Sequence, residues 1–432
     1  MRPGVDVISR ALPPPRTPPT DTGVAFVIGP TASGDQVTLT HSMTEYVALC
    51  GGRTAPNEVT YDAADTYFRE GGNMLYVAST TQTTGGLTAP PAVITKDQLE
   101  AMTRGELDVY AADHGVDPEG YGTKAELLTA LEAIPAPAAA DPGIGLALAA
   151  LNADLGPGQV FLADPVLAAD VANQSAVLAH CAACNRVGLL SCADGDASSL
   201  QAAATALQTD TNARYGALFA PSAIVPGVVA GTTRTVPYAA VEAGIIARND
   251  VSYNPNVPAA GVLGQAVYAL DLNGRYSDAD YEALNTAGVD MARLIYGGVR
   301  TYGYRSLVDP DATPEWLDFG NARLNMAIVA QASAIGERYV FAQIDGRGLM
   351  IAQFGGELTG MLAPMYDAGA LFGDTPEDAF YVDVGPSVNT PTTIANQELH
   401  AVIGVRMSPF AEWVVIEIVK VAVNEALPAI AA

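Results

Sequence analysis

The chain holds no run of about 18 apolar residues, so no transmembrane helix is expected. Its opening, Met-Arg-Pro-Gly-Val-Asp-Val, lacks the apolar centre of a signal peptide. Cysteine is scarce: four in 432 residues, at positions 50, 181, 184 and 192. That is too few for a disulfide framework and suits a reducing cytoplasm. Positive charge is scarce as well, with 21 Lys and Arg against 47 Asp and Glu, a formal balance of −26. Duplex nucleic acid and anionic membranes are therefore poor partners, and neither is expected. Subunits of like charge also repel at long range, so self-assembly has to rest on short-range contacts and salt. The signatures of familiar chemistry are missing: there is no Gly-x-Ser-x-Gly, no Walker-type phosphate loop, no His-Glu-x-x-His and no glycine-rich dinucleotide fingerprint. No catalytic residue, cofactor or metal is assigned, and the chain reads as a non-enzyme.

What is present is a hydrophobic content of 49 % over a length that suits two to four domains. The stretch from Asp378 to Val423 organises the rest. In Glu398–Met407 the apolar residues Leu399, Ala401, Ile403, Val405 and Met407 fall on alternate positions, the pattern of a strand with one buried face. From Glu412 to Lys420, Trp413, Val414, Val415, Ile416 and Ile418 leave almost no polar face. Such a strand needs cover on both sides, from its own sheet or from another subunit.

Upstream, Val5–Ser9 is a short strand candidate followed by Ala-Leu-Pro-Pro-Pro-Arg-Thr-Pro-Pro-Thr, which excludes helix and favours extended polyproline II. This reads as a semi-rigid arm, or on composition alone as a passive tail. Thr22–Gly29 is a buried strand, Ser42–Leu49 and Asp62–Arg69 are helices ended by glycine pairs, and Met74–Ala78 is a strand. Linkers at 80–91 and 135–142 isolate Thr95–Ala133, where Thr123 and Glu126 form a capping-box pattern ahead of Leu127, Leu128 and Leu131. This insert is similar to helix–extended-loop–helix modules of the SAP type. Lys96, Arg104 and Lys124 against nine acidic residues argue against DNA binding and for a decoration or spacer. From Gly158 to Asp250 strands alternate with helices, which implies an α/β layer with parallel pairing. Glu315–Tyr339 and a stripe of Ile351, Phe354, Leu358, Met361 and Met365 read as two amphipathic helices.

Two metal readings are weak. His180, Cys181, Cys184 and Cys192 could be zinc ligands, but the cluster spans a helix end and an apolar strand, where cysteine serves as a small hydrophobe. Asp271, Asn273 and Glu282 have calcium-loop spacing, but Arg275 and Tyr276 occupy positions that need an oxygen ligand and glycine.

Several short motifs carry a resemblance. They are Pro3-Gly4-Val5, Phe68-Arg69-Glu70-Gly71-Gly72 before a strand, Val236-Pro237 leading into Ala247-Arg248-Asn249-Asp250, and Leu284-Asn285 with Ala287-Gly288-Val289. Gly303-Tyr304-Arg305-Ser306-Leu307, Asn321-Ala322-Arg323, Ala379-Phe380, Asn389-Thr390, Ser408-Pro409 and Ala411-Glu412 continue the set. Together they resemble contractile tail sheath proteins over roughly 2–80 and 150–423. The pattern departs at Ser306, where Thr is expected, and at Leu324, where a second Arg is expected.

The resemblance implies a structural subunit, without enzyme activity or cofactor, that polymerises as stacked six-subunit rings around a tail tube. Contraction of the sleeve drives the tube through a host envelope. Implied partners are further copies of the chain, the tube protein, and baseplate and tail-terminator proteins. The implied location is a virion tail assembled in the host bacterial cytoplasm. The implied fold is mixed α/β and multidomain: an N-terminal arm at 1–20, the first part of the body at 21–85, the inserted module at 86–140, an α/β middle domain at 141–300, and a C-terminal helix-plus-sheet domain at 301–432. Strand exchange between subunits is expected through Val5, Val7 and Ile8 at one end and Trp413, Val414, Val415, Ile416 and Ile418 at the other. From composition alone, the alternative is a surface or secreted polysaccharide-active enzyme with an appended module.

If the insert is a decoration on independent linkers, deleting 92–134 and joining the linkers leaves assembly intact. Electron microscopy of the deletion variant checks this, and loss of tubes or rings contradicts it.

Overall fold

The computed structural model describes residues 20–81, 123, 124, 126, 127 and 142–412. The arm strand Val5–Ser9, the run from Trp413, and the insert apart from those four residues lie outside this set. In chain order the main elements begin with strands β1 (Ala25–Gly29) and β2 (Val37–Thr40), helices α1 (Met43–Cys50) and α2 (Glu58–Glu70), and strand β3 (Leu75–Ser79). After the insert come α3 (Pro142–Ala150), β4 (Gln159–Leu162), α4 (Val171–Cys184), β5 (Val187–Ser191), α5 (Ala197–Gln208) and β6 (Gly216–Ala220). Strands β7 (Ala223–Pro226) and β8 (Thr233–Val236), helix α6 (Tyr238–Asp250), β9 (Asp271–Leu272), α7 (Asp278–Thr286), β10 (Val289–Ile295) and β11 (Gly298–Thr301) follow. The last elements are α8 (Phe319–Gly336), α9 (Leu349–Asp367), β12 (Phe380–Asp383) and β13 (Val402–Val405).

Eight strands form one sheet in the order β11-β10-β6-β5-β4-β1-β3-β2. All pairings are parallel except the two at the edges, β2 with β3 and β10 with β11. Segments from either side of the insert therefore share one sheet. Its central strands are apolar on both faces, as a parallel sheet covered on both sides requires. Ala25 and Val27, Phe161, Val187 and Leu189, and Ala217 and Phe219 face one core. Phe26 and Ile28, Val160 and Leu162, Leu190, and Leu218 and Ala220 face the other. The first core is closed by α2 and α6, and the second by α3, α4 and α5. Helix α6 is buried almost all round. It crosses α2 so closely that a Cβ on Gly244 would lie 2.4 Å from the Glu70 Cβ and 2.8 Å from the Tyr67 carbonyl. Only glycine fits there.

Helices α8 and α9 pack with β12 and β13 around a third core, which includes Leu324, Ile328, Phe354, Leu358 and Leu362. Leu399, Ile403, Val405 and Met407, the alternating face of the sequence, pack against it. The regular strand is shorter than that alternation because the Asn389 side chain takes both backbone groups of His400. Helix α8 is shorter than the Glu315–Tyr339 run. Pro314–Trp316 is a separate 3-10 turn, and Asp318 caps α8 with extended backbone. The sequence passed over β2, β10 and β11. At 123–126 the capping box is present, with Thr123 and Glu126 each accepting from the other's backbone N–H. Among the described residues no helix is long and apolar enough to cross a membrane.

Candidate functional site

Three motifs that lie far apart in the sequence meet where the large sheet joins the C-terminal unit. Helix α6 ends on Asp250, which accepts from Arg323 Nη2 through both carboxylate oxygens, at 2.8 and 2.6 Å. The same Asp250 accepts from Thr22 Oγ1 at 2.8 Å. Arg323 Nη1 also donates to the Pro255 carbonyl and to Tyr304 Oη. The arginine is 1 % exposed. Burial alone disfavours its charge, but Asp250 outweighs that and holds the guanidinium pKa above its ordinary value. The charged partner of Arg323 is thus Asp250. Leu324, where a second Arg was expected, is instead fully buried in the third core. Ser306, where Thr was expected, donates its hydroxyl to the Trp316 carbonyl at 2.6 Å.

Two further arginines extend the joint. Arg248 donates to the carbonyls of Glu70 and Gln265, both at 2.7 Å. Buried Glu70, at the end of α2, accepts from the backbone N–H groups of Val267, Tyr268 and Ala269. Arg305 grips Glu412 with two parallel bonds, Nε to Oε1 at 2.9 Å and Nη2 to Oε2 at 2.5 Å. It also donates from Nη1 to the Asn285 carbonyl. Asn256 donates to the Ser408 carbonyl at 2.7 Å. The last described residues, from Ser408 to Glu412, are therefore fixed to the sheet body. The predicted exchange residues Val5, Val7, Ile8, Trp413, Val414, Val415, Ile416 and Ile418 themselves lie outside the described residues.

Behind the joint, two carboxyl groups are fully buried. Glu242 accepts from Thr301 Oγ1, which also bonds Tyr238 Oη at 3.0 Å. Burial pushes Glu242 up to about 8, against the pull of the Thr301 bond, Arg323 and Arg248. Asp290 accepts from the Arg305 backbone N–H, and burial raises it well above the carboxylate range. Both acids are at 0 % exposure, so they line no cleft and offer nothing to a polysaccharide.

The other candidate chemistry resolves into structure. His180 Nε2 lies 2.8 Å from Arg186 Nη1, and its Nδ1 faces Cys184 Sγ at 3.9 Å. Burial, reinforced by Arg186, pushes His180 down to about 4, so the ring is neutral and accepts. Arg186 also donates to the carbonyls of Gly156, Leu151 and Asn152 and lies over the Phe26 ring. Burial raises the thiols of Cys181 and Cys192, the latter to about 12. Asp271 is paired with Arg275, and Asn273 donates to Asp194, so the calcium-like spacing spans a strand, a turn and a capped helix. Among the described residues no group of three or more His, Cys, Asp or Glu is arranged to hold a metal. On the outer side of α2, Arg234 joins Asp62 and Asp65, with Arg53 and Arg69 on the same two carboxylates. The sequence reading missed Arg186, Glu242 and Glu70 as buried polar centres. The available signal was a lone charge beside or within an apolar run, as in Ala-Ala-Val-Glu242-Ala-Gly-Ile-Ile.

The sequence matches no protein-family model and no curated protein. In structure the chain is similar to a chain of the anti-feeding prophage (AFP) baseplate in contracted state, with TM-score 0.65 and 18 % identity over 97 % of this chain and 98 % of that one. It is similar to a chain of the AFP helical sheath in contracted state, with TM-score 0.62 and 18 % identity over 96 % and 98 %. It is also similar to a chain of the PVC sheath complex of an extracellular contractile injection system, with TM-score 0.62 and 16 % identity over 97 % of each.

The raised Glu242 pKa has a consequence for stability. Folded, the group holds its proton up to about 8, whereas an unfolded glutamate releases it near ~4.3. The folded state therefore binds more protons between these values, and stability falls as pH rises through that window. Glu242→Gln removes the effect. Its melting temperature relative to wild type is expected to be higher at pH 8 than at pH 5, by roughly 2–4 °C. Thermal denaturation at both pH values checks this, and an equal offset at both contradicts it.

Proposed function

We propose that this chain, which has the fold of contractile sheath proteins, is the sheath subunit of a contractile tail or tail-like injection device. The observation that carries the reading is the end-to-end likeness to sheath-complex chains, over 96 % or more of this chain and of theirs. In this role the subunits stack as six-membered rings around a tube and hold to a baseplate at one end and a terminator at the other. The sleeve then shortens to drive the tube outward. The role is structural and calls for no nucleotide, metal or catalytic residue. It places the chain in a virion tail or a phage-like particle built in a bacterial cytoplasm.

A contracting sleeve needs contacts that survive large rigid-body rotation of its subunits. Strand exchange meets that need, because main-chain bonds hold a tethered strand while the body turns. The C-terminal unit offers a place for it. Among the described residues, β12 and β13 pair only with each other as regular strands, with Phe380 opposite Val405 and Asp383 opposite Val402. A two-stranded sheet is marginal alone, and here Tyr381 and Val402 are 59 % and 43 % exposed. Added strands would cover them. In this reading Val5, Val7 and Ile8 of one subunit pair into the sheet of a neighbour that holds Trp413, Val414, Val415, Ile416 and Ile418. Each main-chain bond contributes about 1 kcal/mol net, and each buried side chain roughly 1.5–3 kcal/mol. That is weak once and strong when repeated along a tube.

Deleting residues 1–20 is therefore expected to leave a folded subunit that does not polymerise. Val7→Pro is expected to do the same, since proline removes the pairing N–H. Size-exclusion chromatography with electron microscopy decides it, and tubes of normal length from either variant contradict the strand-exchange role.

A further inference from the structure

Between α8 and α9 runs an open groove of about 650 Å³. One wall is a strip of small or flat residues on successive turns of α9: Gly360, Pro364 and the following Ala368. Met361 and Met365 lie beside the strip. One end of the groove is marked by Asn254, which donates to the Ala368 carbonyl. The other end is marked by Arg338 and Glu357, paired at 2.7 Å, with the arginine exposed and the glutamate half-buried, its Oε1 accepting from Gln353.

Thr20, the first described residue, lines this same groove. Two residues later, Thr22 bonds Asp250, four residues before Asn254, which places Thr20 at the Asn254 end. The chain upstream of Thr20 therefore starts in the groove, and it reads Pro13-Pro14-Pro15-Arg16-Thr17-Pro18-Pro19. We propose that this proline-rich segment docks in the groove of its own subunit, with Arg16 reaching Glu357.

Length, shape and charge agree. Glu357 lies eleven helical residues before Ala368, about 16 Å along the axis. From Arg16 to Thr20 is four residues, about 12 Å as polyproline II, and the arginine side chain covers the remainder. A segment with φ already fixed loses little entropy on docking, and a strip without bulky side chains lets its rings lie flat. Glu357 then meets two cations, Arg338 and Arg16. The docked segment would set where the free part of the N-terminal arm begins and the direction in which it leaves. This is a property of the single subunit and holds whether or not subunits polymerise.

The test uses the full chain at a dilution where it is unassembled. Gly360→Arg places a bulky cation in the groove, and a Cβ there meets nothing within 4 Å, so the fold tolerates it. Trypsin cleavage after Arg16 is expected to be about tenfold or more faster in Gly360→Arg and in Glu357→Lys than in wild type, because cleavage follows the undocked fraction. Cleavage after Arg10, beyond the docked stretch, is expected to be unchanged. Equal rates after Arg16 in all three proteins would overturn the proposal. As a second measurement, Thr17→Cys with Gly360→Cys is expected to form a disulfide within one chain on mild oxidation, read by intact mass. Failure to form it, or a bridge joining two copies, would overturn docking on the chain's own body.

Discussion

One buried ion pair holds the architecture together. Arg323, near the start of α8, and Asp250, at the end of α6, tie the helical C-terminal unit to the helix that fills the first core of the sheet. Both charges are almost wholly removed from water. Such a pair adds little net stability over a well-packed apolar substitute, yet losing one partner leaves a buried charge and costs about 3–5 kcal/mol. Its effect is to specify geometry. Thr22 on the incoming chain and Tyr304 after the sheet bond the same two side chains, so the entry strand, central helix and C-terminal unit share one reference point. Arg305 with Glu412 and Asn256 with Ser408 extend that reference to the last described residues of the chain. The first and last described segments of the main body are thereby held to one joint.

The neighbourhood also accounts for the buried acids. Glu242 and Asp290 sit where α6 and β10 pack behind the joint, with Tyr238, Glu70, Arg248 and Arg323 around Glu242. Burial raises both carboxyls, Glu242 to about 8, in a core that also holds the cations of the joint. Perturbed acids often mark catalysis, but these have no access to solvent, and their partners are structural.

Much of the fold was legible because its signals are local. The strand–helix alternation from Gly158 to Asp250 was legible because helices such as Val171–Cys184 and Ala197–Gln208 carry local caps, Asp170 and Asp196. The alternation in Glu398–Met407 gave the face that packs on the third core, except at Ala401, which is exposed. Strand β10 was missed because Asp290 and Arg293 interrupt its apolar run, and nothing local shows that Asp290 is buried with one oxygen accepting from the Arg305 backbone. Strand β2 was missed because an edge strand of two apolar and two threonine residues carries little pattern. The motifs Ala-Arg-x-Asp, Gly-Tyr-Arg and Asn-x-Arg were visible, but their common purpose was not. It lies in contacts such as Asp250 to Arg323, 73 residues apart, which no local pattern encodes.

The measurement that tests this account most directly is a double-mutant cycle on Asp250 and Arg323. The variants Asp250→Leu, Arg323→Met and the pair together are compared by denaturant unfolding. Each single change is expected to cost about 3–5 kcal/mol, and the double variant to cost at least ~2 kcal/mol less than the sum of the two. Additivity within about 0.5 kcal/mol would mean that the two residues act independently, and the joint would then not be the constraint that fixes the two units relative to each other.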